Sequence, residues 1–467
     1  MKLSDTAALC GGGGRAALQG NEVIDFAGPI VGQAGSVRWL LVMCMVFLGL
    51  ATTVQAQPTR PFLMATTAVQ MQPFSNPPYS NSNANFPFSE VAADTDMITL
   101  WPEYLGIPFD IFALGPTIDP NHPWAQAMTQ LAAEASAPGK PILLELGFVR
   151  TSVVAWASEV NGELVVQDSW GAVCYNFMSA EGQTVLDGYV NYVQWMAQTF
   201  SPAYLVNFIE ANLYYADCGG ATPSWNALVD AQNRAYDAVK AIDPDLPVLP
   251  SIKLETLYGQ QLNGFIESQY QAMRALKRDF FGISVYPFGV AVPGAGRLAT
   301  PYDLPLDYLV RVSQRHPDEK PLVIAETGWN NASISLGDTS FCLQNFPHSE
   351  ESWVRDYMSL VFASAHFGDF EFVNWWSMRD SMSAQAQSIC YVRDSWPYAA
   401  CAGDQWCTVM NFVKDNTFEG TAALFSELVQ KAFGSFGMRT YNGQERPVLM
   451  QRWRQERSLP LAPPAQP

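Results

Sequence analysis

The chain has 467 residues, 48% of them apolar and 13% aromatic, enough for a large core in one domain or two. Its formal net charge is −18 and its pI near 4.6, which argues against nucleic acid or an anionic membrane surface as partner, since both demand basic patches. A neutral or cationic substrate is compatible with that charge.

Residues 1–56 read as a leader. The apolar run 40–51 follows Arg38, and Val54-Gln55-Ala56 resembles a small-residue cleavage site before Gln57. The run is short for spanning a bilayer, so membrane attachment is expected only through an uncleaved leader. The chain is thus expected to be exported, to the periplasm or outside the cell. Without Cys10 and Cys44 of the leader, six cysteines remain: Cys174, Cys218, Cys342, Cys390, Cys401 and Cys407. An even number in an exported chain permits disulfides. Cys174 follows the third predicted strand and Cys218 the fourth, and adjacent loops bring them together, so these two are expected to pair. Spacing leaves the pairing of the other four open.

Past the leader, residues 60–70 predict a first strand and the Pro/Ser/Asn-rich stretch 72–86 a loop. Residues 96–101 predict a second strand. The apolar spacing of 122–136 predicts a helix before a third strand, 140–147. A long insertion, 148–177, holds Trp156, Trp170 and Cys174. Residues 180–199 predict a helix with Val185, Tyr189, Tyr192, Val193 and Met196 on one face. Then come a strand at 204–212, a helix at 225–242, a strand at 246–255, a helix at 265–277 and a strand at 280–288. A short helix, 306–316, precedes the seventh strand, whose run Leu322 to Ala325 ends on Glu326-Thr-Gly-Trp329. A helix at 350–367, an eighth strand at 371–377 and a closing helix at 420–433 complete the pattern. The first strand-to-strand connection shows no clear helix.

Eight strands with helices between them predict an α/β chain folded as one (β/α)8 barrel over 57–453, with long βα loops and a Pro-rich tail at 454–467. The rival is an open doubly wound sheet. No Gly-rich dinucleotide turn follows an early strand, which counts against it.

In such a barrel the site lies at the C-terminal strand ends. Those positions hold Trp101, Glu145, Glu210, Asn212, Lys253, Glu255, Tyr286, Glu326, Trp329, Trp375 and Trp376. Carboxylates and aromatics dominate. The four histidines (His122, His316, His348, His366) fall in loops or helices, so no His-ligated metal and no cofactor are expected. No serine sits in a nucleophile elbow. Two carboxylates among aromatics suit glycoside hydrolysis, in which one acid protonates the departing oxygen and the other attacks. Glu145 serves equally well as a subsite carboxylate or as the ion-pair partner of Lys253 or Arg150. Asn331-Ala-Ser333 matches a glycosylation sequon but lies so close to Glu326 that a chance match is the better explanation.

The segment PLVIAETGW around Glu326 resembles the nucleophile strand of the clan A retaining glycosidases, the (β/α)8 group of endo-galactanases, cellulases and β-1,3-glucanases. That resemblance implies Glu210 as acid/base and Glu326 as nucleophile, with their carboxyls about 5–5.5 Å apart. It also implies Tyr286 and Trp375 or Trp376 as substrate-binding residues, with an oligo- or polysaccharide as the partner. Residues 441–448 (YNGQERPV) are similar to the terminal turn of these barrels. Trp101, Glu145 and Trp329 complete the expected sugar contacts. One position departs from the family. The residue before the acid/base is usually Asn, and here it is Ile209. Asn207 and Asn212, on the same stretch, are the expected substitutes. An apolar neighbour also favours the protonated form that a general acid needs. The expected activity is cleavage of a β-linked saccharide with retention, and the alternative is a catalytically silent, sugar-binding barrel.

Overall fold

The computed structural model describes residues 58–68, 87–102, 106–147, 155–160, 163–168, 174–295, 297–319, 321–331, 349–380 and 435–463. The leader, the loop 72–86, the closing helix at 420–433, Arg150, Trp170 and the cysteines at 342, 390, 401 and 407 lie outside them.

Eight parallel strands form a closed barrel. They are β1 (Leu63–Thr67), β2 (Met97–Leu100), β3 (Ile142–Glu145), β4 (Tyr204–Phe208), β5 (Val248–Lys253), β6 (Phe281–Val285), β7 (Leu322–Thr327) and β8 (Phe370–Trp375). Each pairs with its neighbours in sequence, and β8 returns to β1 with Leu63 opposite Phe372. The strands read as unbroken apolar runs because both faces are covered. One face meets the barrel axis, where Ala65, Met97, Leu143, Val206, Leu249 and Val323 form a fully buried inner cluster. The other meets the helices. The predicted barrel and its single sheet are therefore observed.

The helices begin where the sequence supplies caps. His122 Nδ1 accepts the Trp124 N–H ahead of α2 (Pro123–Ser136), Ser179 Oγ that of Gly182 ahead of α3 (Ala180–Phe200), and Thr222 Oγ1 that of Trp225 ahead of α4 (Pro223–Ile242). The five residues expected on one face of α3 are all buried. Two predicted helices are shorter than expected, α5 (Glu267–Met273) and α6 (Arg311–Arg315). The helix α7 (Glu351–Gly368) matches its prediction. A helix absent from the sequence reading, α1 (Phe88–Asp94), fills the first connection, although its Pro87 cap makes no side-chain bond. The third loop carries an antiparallel hairpin, Ala155–Val160 with Glu163–Asp168.

The C-terminal boundary also differs from the expected one. Helix α8 (Pro447–Arg457) runs through residue 454 and buries Trp453, whose indole N–H donates to the Asp94 carbonyl at 2.7 Å. Beyond it the Arg60 N–H donates to the Pro460 carbonyl, and the Ala462 N–H to the Arg60 carbonyl, both at 2.8 Å. Composition suggested a tail. Burial of one indole and pairing to the strand before β1 make residues 454–462 part of the barrel floor.

Cys174 and Cys218 form the expected disulfide, with Cα atoms 5.4 Å apart. It ties the end of the third loop to the short helix Asn212–Asp217 that follows Glu210. Closing a loop of sequence separation 44 restricts the unfolded chain by about 2–4 kcal/mol. Replacing both cysteines by alanine is expected to lower unfolding free energy by that amount. Equal urea midpoints for the two forms would contradict it.

Candidate active site

Side chains pointing to the axis are apolar low in the barrel and polar at its C-terminal mouth. The polar layer is built from Thr99, Glu145, Lys253, Ser284 and Asn374. Asn374 spans it: its Oδ1 accepts from Thr99 Oγ1 at 2.8 Å, and its Nδ2 donates to the Ala325 carbonyl at 2.6 Å and to Glu145 Oε1 at 3.4 Å. Glu145 is fully buried and takes this contact, whereas Lys253 pairs with another acid.

Glu326 reaches this layer because β7 carries one extra residue, and Glu210 because it turns out of its strand in a left-handed conformation. On β7, Ile324 pairs with Ile283 and Glu326 with Ser284, so Ala325 has no partner on β6. On β4, Val206 pairs with Leu249 and Phe208 with Pro250. Such bulges re-aim the side chains that follow. Glu210 also adopts φ 49°, a region costly for a residue with a Cβ. Ser251 holds it there. Its Oγ accepts the Glu210 N–H at 2.9 Å, and its carbonyl accepts the Ala211 N–H at 2.9 Å.

One hydroxyl meets both carboxylates. Ser284 Oγ lies 2.8 Å from Glu210 Oε1 and 3.4 Å from Glu326 Oε2. Lys253 Nζ lies 3.1 Å and 3.5 Å from the two Glu210 oxygens. The Tyr286 hydroxyl donates to Glu326 Oε2 at 3.0 Å. Burial, then the charges of Glu326 and Glu210, hold that phenol well above its usual range, so it stays a donor. Its ring stacks on Phe436, 5.7 Å between centroids, and its N–H donates to Glu255 Oε1 at 2.9 Å.

The aromatics divide into two groups. Trp101 and Trp376 stand at the mouth, 5.9 Å apart and inclined by 58°. Trp375 and Trp329 do not. Both are fully buried, Trp375 donating to the Phe436 carbonyl at 3.2 Å and Trp329 packing against Tyr357 and Phe288. Strand alternation sends Trp376 inward and Trp375 out to α7, so Trp375 and Trp329 belong to the core.

Two further expectations are corrected. Asn207 faces the helix layer, where its Oδ1 accepts from Gln232 of α4 at 3.3 Å. Asn212 grips the peptide of Lys253: its Oδ1 accepts the N–H at 2.7 Å and its Nδ2 donates to the carbonyl at 2.8 Å. Neither amide replaces the Asn that Ile209 displaces. The sequence reading missed Ser284, Ser251 and Asn374. Period-two counting back from Tyr286 and Trp376 points to the first and last of these.

Among the described residues no group of three or more His, Cys, Asp or Glu could hold a metal ion. Nor is any helix there long and apolar enough to cross a membrane. No protein-family model and no curated protein matches the chain. Solved structures do match at low identity. An exo-β-1,4-mannosidase from Opitutaceae bacterium strain TAV5 is 12% identical, with TM-score 0.49 over 86% of this chain and 60% of that one. The GH53 catalytic domain of Ignisphaera aggregans is 15% identical, with TM-score 0.44 over 85% and 99%. A GH5_18 protein from Bifidobacterium longum is 13% identical, with TM-score 0.44 over 80% and 74%. Likeness at this level leaves function to the strand-end side chains themselves.

Glu255 gives this layer a pH signature. Burial raises its pKa from 4.5 to about 7, against the opposing pull of Lys253. A carboxyl raised in the folded state stabilises it fully below its unfolded pKa, and that stability is lost as pH rises through about 7. The loss is of order 2–3 kcal/mol. Glu255→Gln keeps an acceptor for the Tyr286 N–H and does not ionise. Urea unfolding is expected to find it close to wild type at pH 4.5 and more stable by about 2–3 kcal/mol at pH 8. Equal stability at pH 8 would show that the folded protein tolerates the charge.

Proposed function

We propose that this chain is an exported glycoside hydrolase that cleaves a β-linked oligo- or polysaccharide with retention. The observation that carries the proposal is the Ser284 hydroxyl within hydrogen-bonding distance of both Glu210 and Glu326. Two carboxylates that share one small donor are close enough to act on opposite sides of one glycosidic bond, as a retaining pair does. Glu326 is the nucleophile, and Tyr286 orients its carboxylate. Glu210 gives its proton to the departing oxygen and later takes one from water. Glu145, Trp101 and Trp376 line the sugar site. Export is supported by the leader pattern and by a disulfide in the mature segment.

A second reading has its own observation. Asn207 and Asn212 are both committed elsewhere, and the residue before Glu210 is Ile209. A barrel that binds a saccharide without cleaving it would fit that loss.

Alanine variants assayed on aryl glycosides and polysaccharides separate the two readings. Glu326→Ala is expected to abolish turnover with the fold intact. Glu210→Ala is expected to lower kcat/KM about 10²–10⁴-fold on a poor leaving group and little on a good one. Azide then restores turnover in Glu210→Ala with retained configuration, and in Glu326→Ala with inverted configuration. Full activity in both variants would sink the two-carboxylate assignment. Binding without cleavage by wild type would establish the second reading.

A further inference from the structure

A proton donor in contact with a fixed cation poses a physical question. The Glu210 carboxylate lies between the Lys253 ammonium, 3.1 Å and 3.5 Å from its oxygens, and the Ser284 hydroxyl at 2.8 Å. The lysine is anchored at its own peptide. Asn212, fully buried, bonds both its N–H and its carbonyl, and shares its Nδ2 with Gln269 Oε1 at 3.1 Å. The ammonium lies 5.7 Å from the centre of the Tyr286 ring, and the side chain is only 18% exposed. Lysine and glutamate therefore form one rigid unit on β5 and the turn after β4.

Among the described residues, the charged and titratable groups around this unit are nearly all acidic. Glu326 comes from β7, Glu145 from β3, Glu255 from the turn after β5 and Asp217 from the short helix after Glu210. The Tyr286 phenol comes from the end of β6. Glu326, Glu145 and Glu255 favour a proton on Glu210, and Lys253 alone among these opposes it. Asp217 and Lys253 feel one another, as do Glu255 and Glu210. An ammonium in contact with a carboxylate lowers its proton affinity by about 1–3 pH units.

We propose that Lys253 is a positioning residue that sets the pH at which Glu210 carries its proton, and so fixes the alkaline limit of activity. The proposal rests on Glu210 being the acid/base. In the first step the Glu210 proton passes to the glycosidic oxygen as the C–O bond breaks and Glu326 bonds to the anomeric carbon. The new Glu210 carboxylate then sits against the ammonium, which favours that transfer. In the second step water gives a proton to Glu210 as its oxygen displaces Glu326. The same ammonium holds the base in place.

The test reads the proton directly. Protein labelled with 13C at glutamate carboxyls gives a Glu210 resonance, assigned by its loss in Glu210→Gln. Lys253→Met is expected to raise its titration midpoint by about 1 pH unit or more, and Lys253→Arg, which keeps the charge, to leave it within about 0.3. If Lys253→Met fails to fold, Lys253→Gln carries the same expectation. The alkaline limb of kcat/KM on an aryl glycoside with a poor leaving group is expected to move by the same amount. With a dinitrophenyl glycoside, whose departure needs no proton, it is expected to stay. An unmoved midpoint in the neutral variants overturns the role of Lys253, even if Glu210→Ala proves the acid/base. A moved midpoint with full activity in Glu210→Ala overturns instead the reading on which the role rests, and the alkaline limit with it.

Discussion

The arrangement at the barrel mouth depends on one extra residue in β7 and one left-handed residue after β4. Strict alternation would follow Val323 and Ala325, both in the inner cluster, with a Glu326 that faces the helices. The bulge on β7 turns it to the axis instead, and its counterpart on β4 precedes the left-handed Glu210. Strain of this kind persists only where neighbours over-determine it. Ser251 bonds the backbone on both sides of the Glu210 carbonyl, and the Thr327 hydroxyl donates to the Val285 carbonyl at 2.9 Å just past Glu326. The pairings from β1 through β2 and β3 to β4 keep an even register, whereas those of β4 with β5 and of β7 with β6 and β8 shift.

Gathering carboxylates in a buried layer is costly unless charge or hydrogen bonds offset it. Each acid here is treated differently. Glu210 takes an ammonium and a hydroxyl. Glu326 takes a phenol that burial keeps protonated. Glu145 takes the amide of Asn374, which also bridges β2 and β7. Glu255 is held close to neutral, with its Oε1 on a backbone N–H. On the proposed roles, Lys253 goes to the group that sheds a proton, and neutral donors serve the nucleophile. That division of partners sets two like residues apart.

The barrel is legible because its strands are buried on both faces and its longer helices carry an apolar stripe. Leu322 to Ala325, or Val185 to Met196 on α3, announces itself in a few residues. The helix Phe88–Asp94 was not legible, since it lacks a capping side chain and is seven residues long. The pairing of residues 460–462 is not legible either, since a Pro-rich stretch gives no sign that it meets Arg60. At the site, Glu210, Glu326 and Tyr286 followed from strand ends. Sorting Trp376 from Trp375 needs the register, and Asn207 stands three residues before Glu210, an odd offset that alternation places on the opposite face. Position alone makes Lys253 a candidate partner of Glu145. Its pairing with Glu210 follows from the grip of Asn212 on its peptide, a contact that no spacing rule reports.

The substitution at Ile209 fits the polarity of the whole mouth. Gly147 packs against it so closely that a Cβ there would lie 3.3 Å from both Ile209 Cδ1 and Trp101 Nε1. A larger residue would push the indole out of place. Ile209, Gly147, Trp101 and Trp376 therefore make one apolar corner, reached from β2, β3, β4 and β8. Facing it, β5 and β6 present Lys253, Ser284 and Tyr286, all donors. A flat ligand between these walls meets C–H-compatible surface on one side and hydrogen-bond donors on the other. Pyranose rings have that asymmetry, and Trp stacks on their apolar faces. An Asn in place of Ile209 would put an amide into the apolar corner, beside an indole whose own N–H is already buried there.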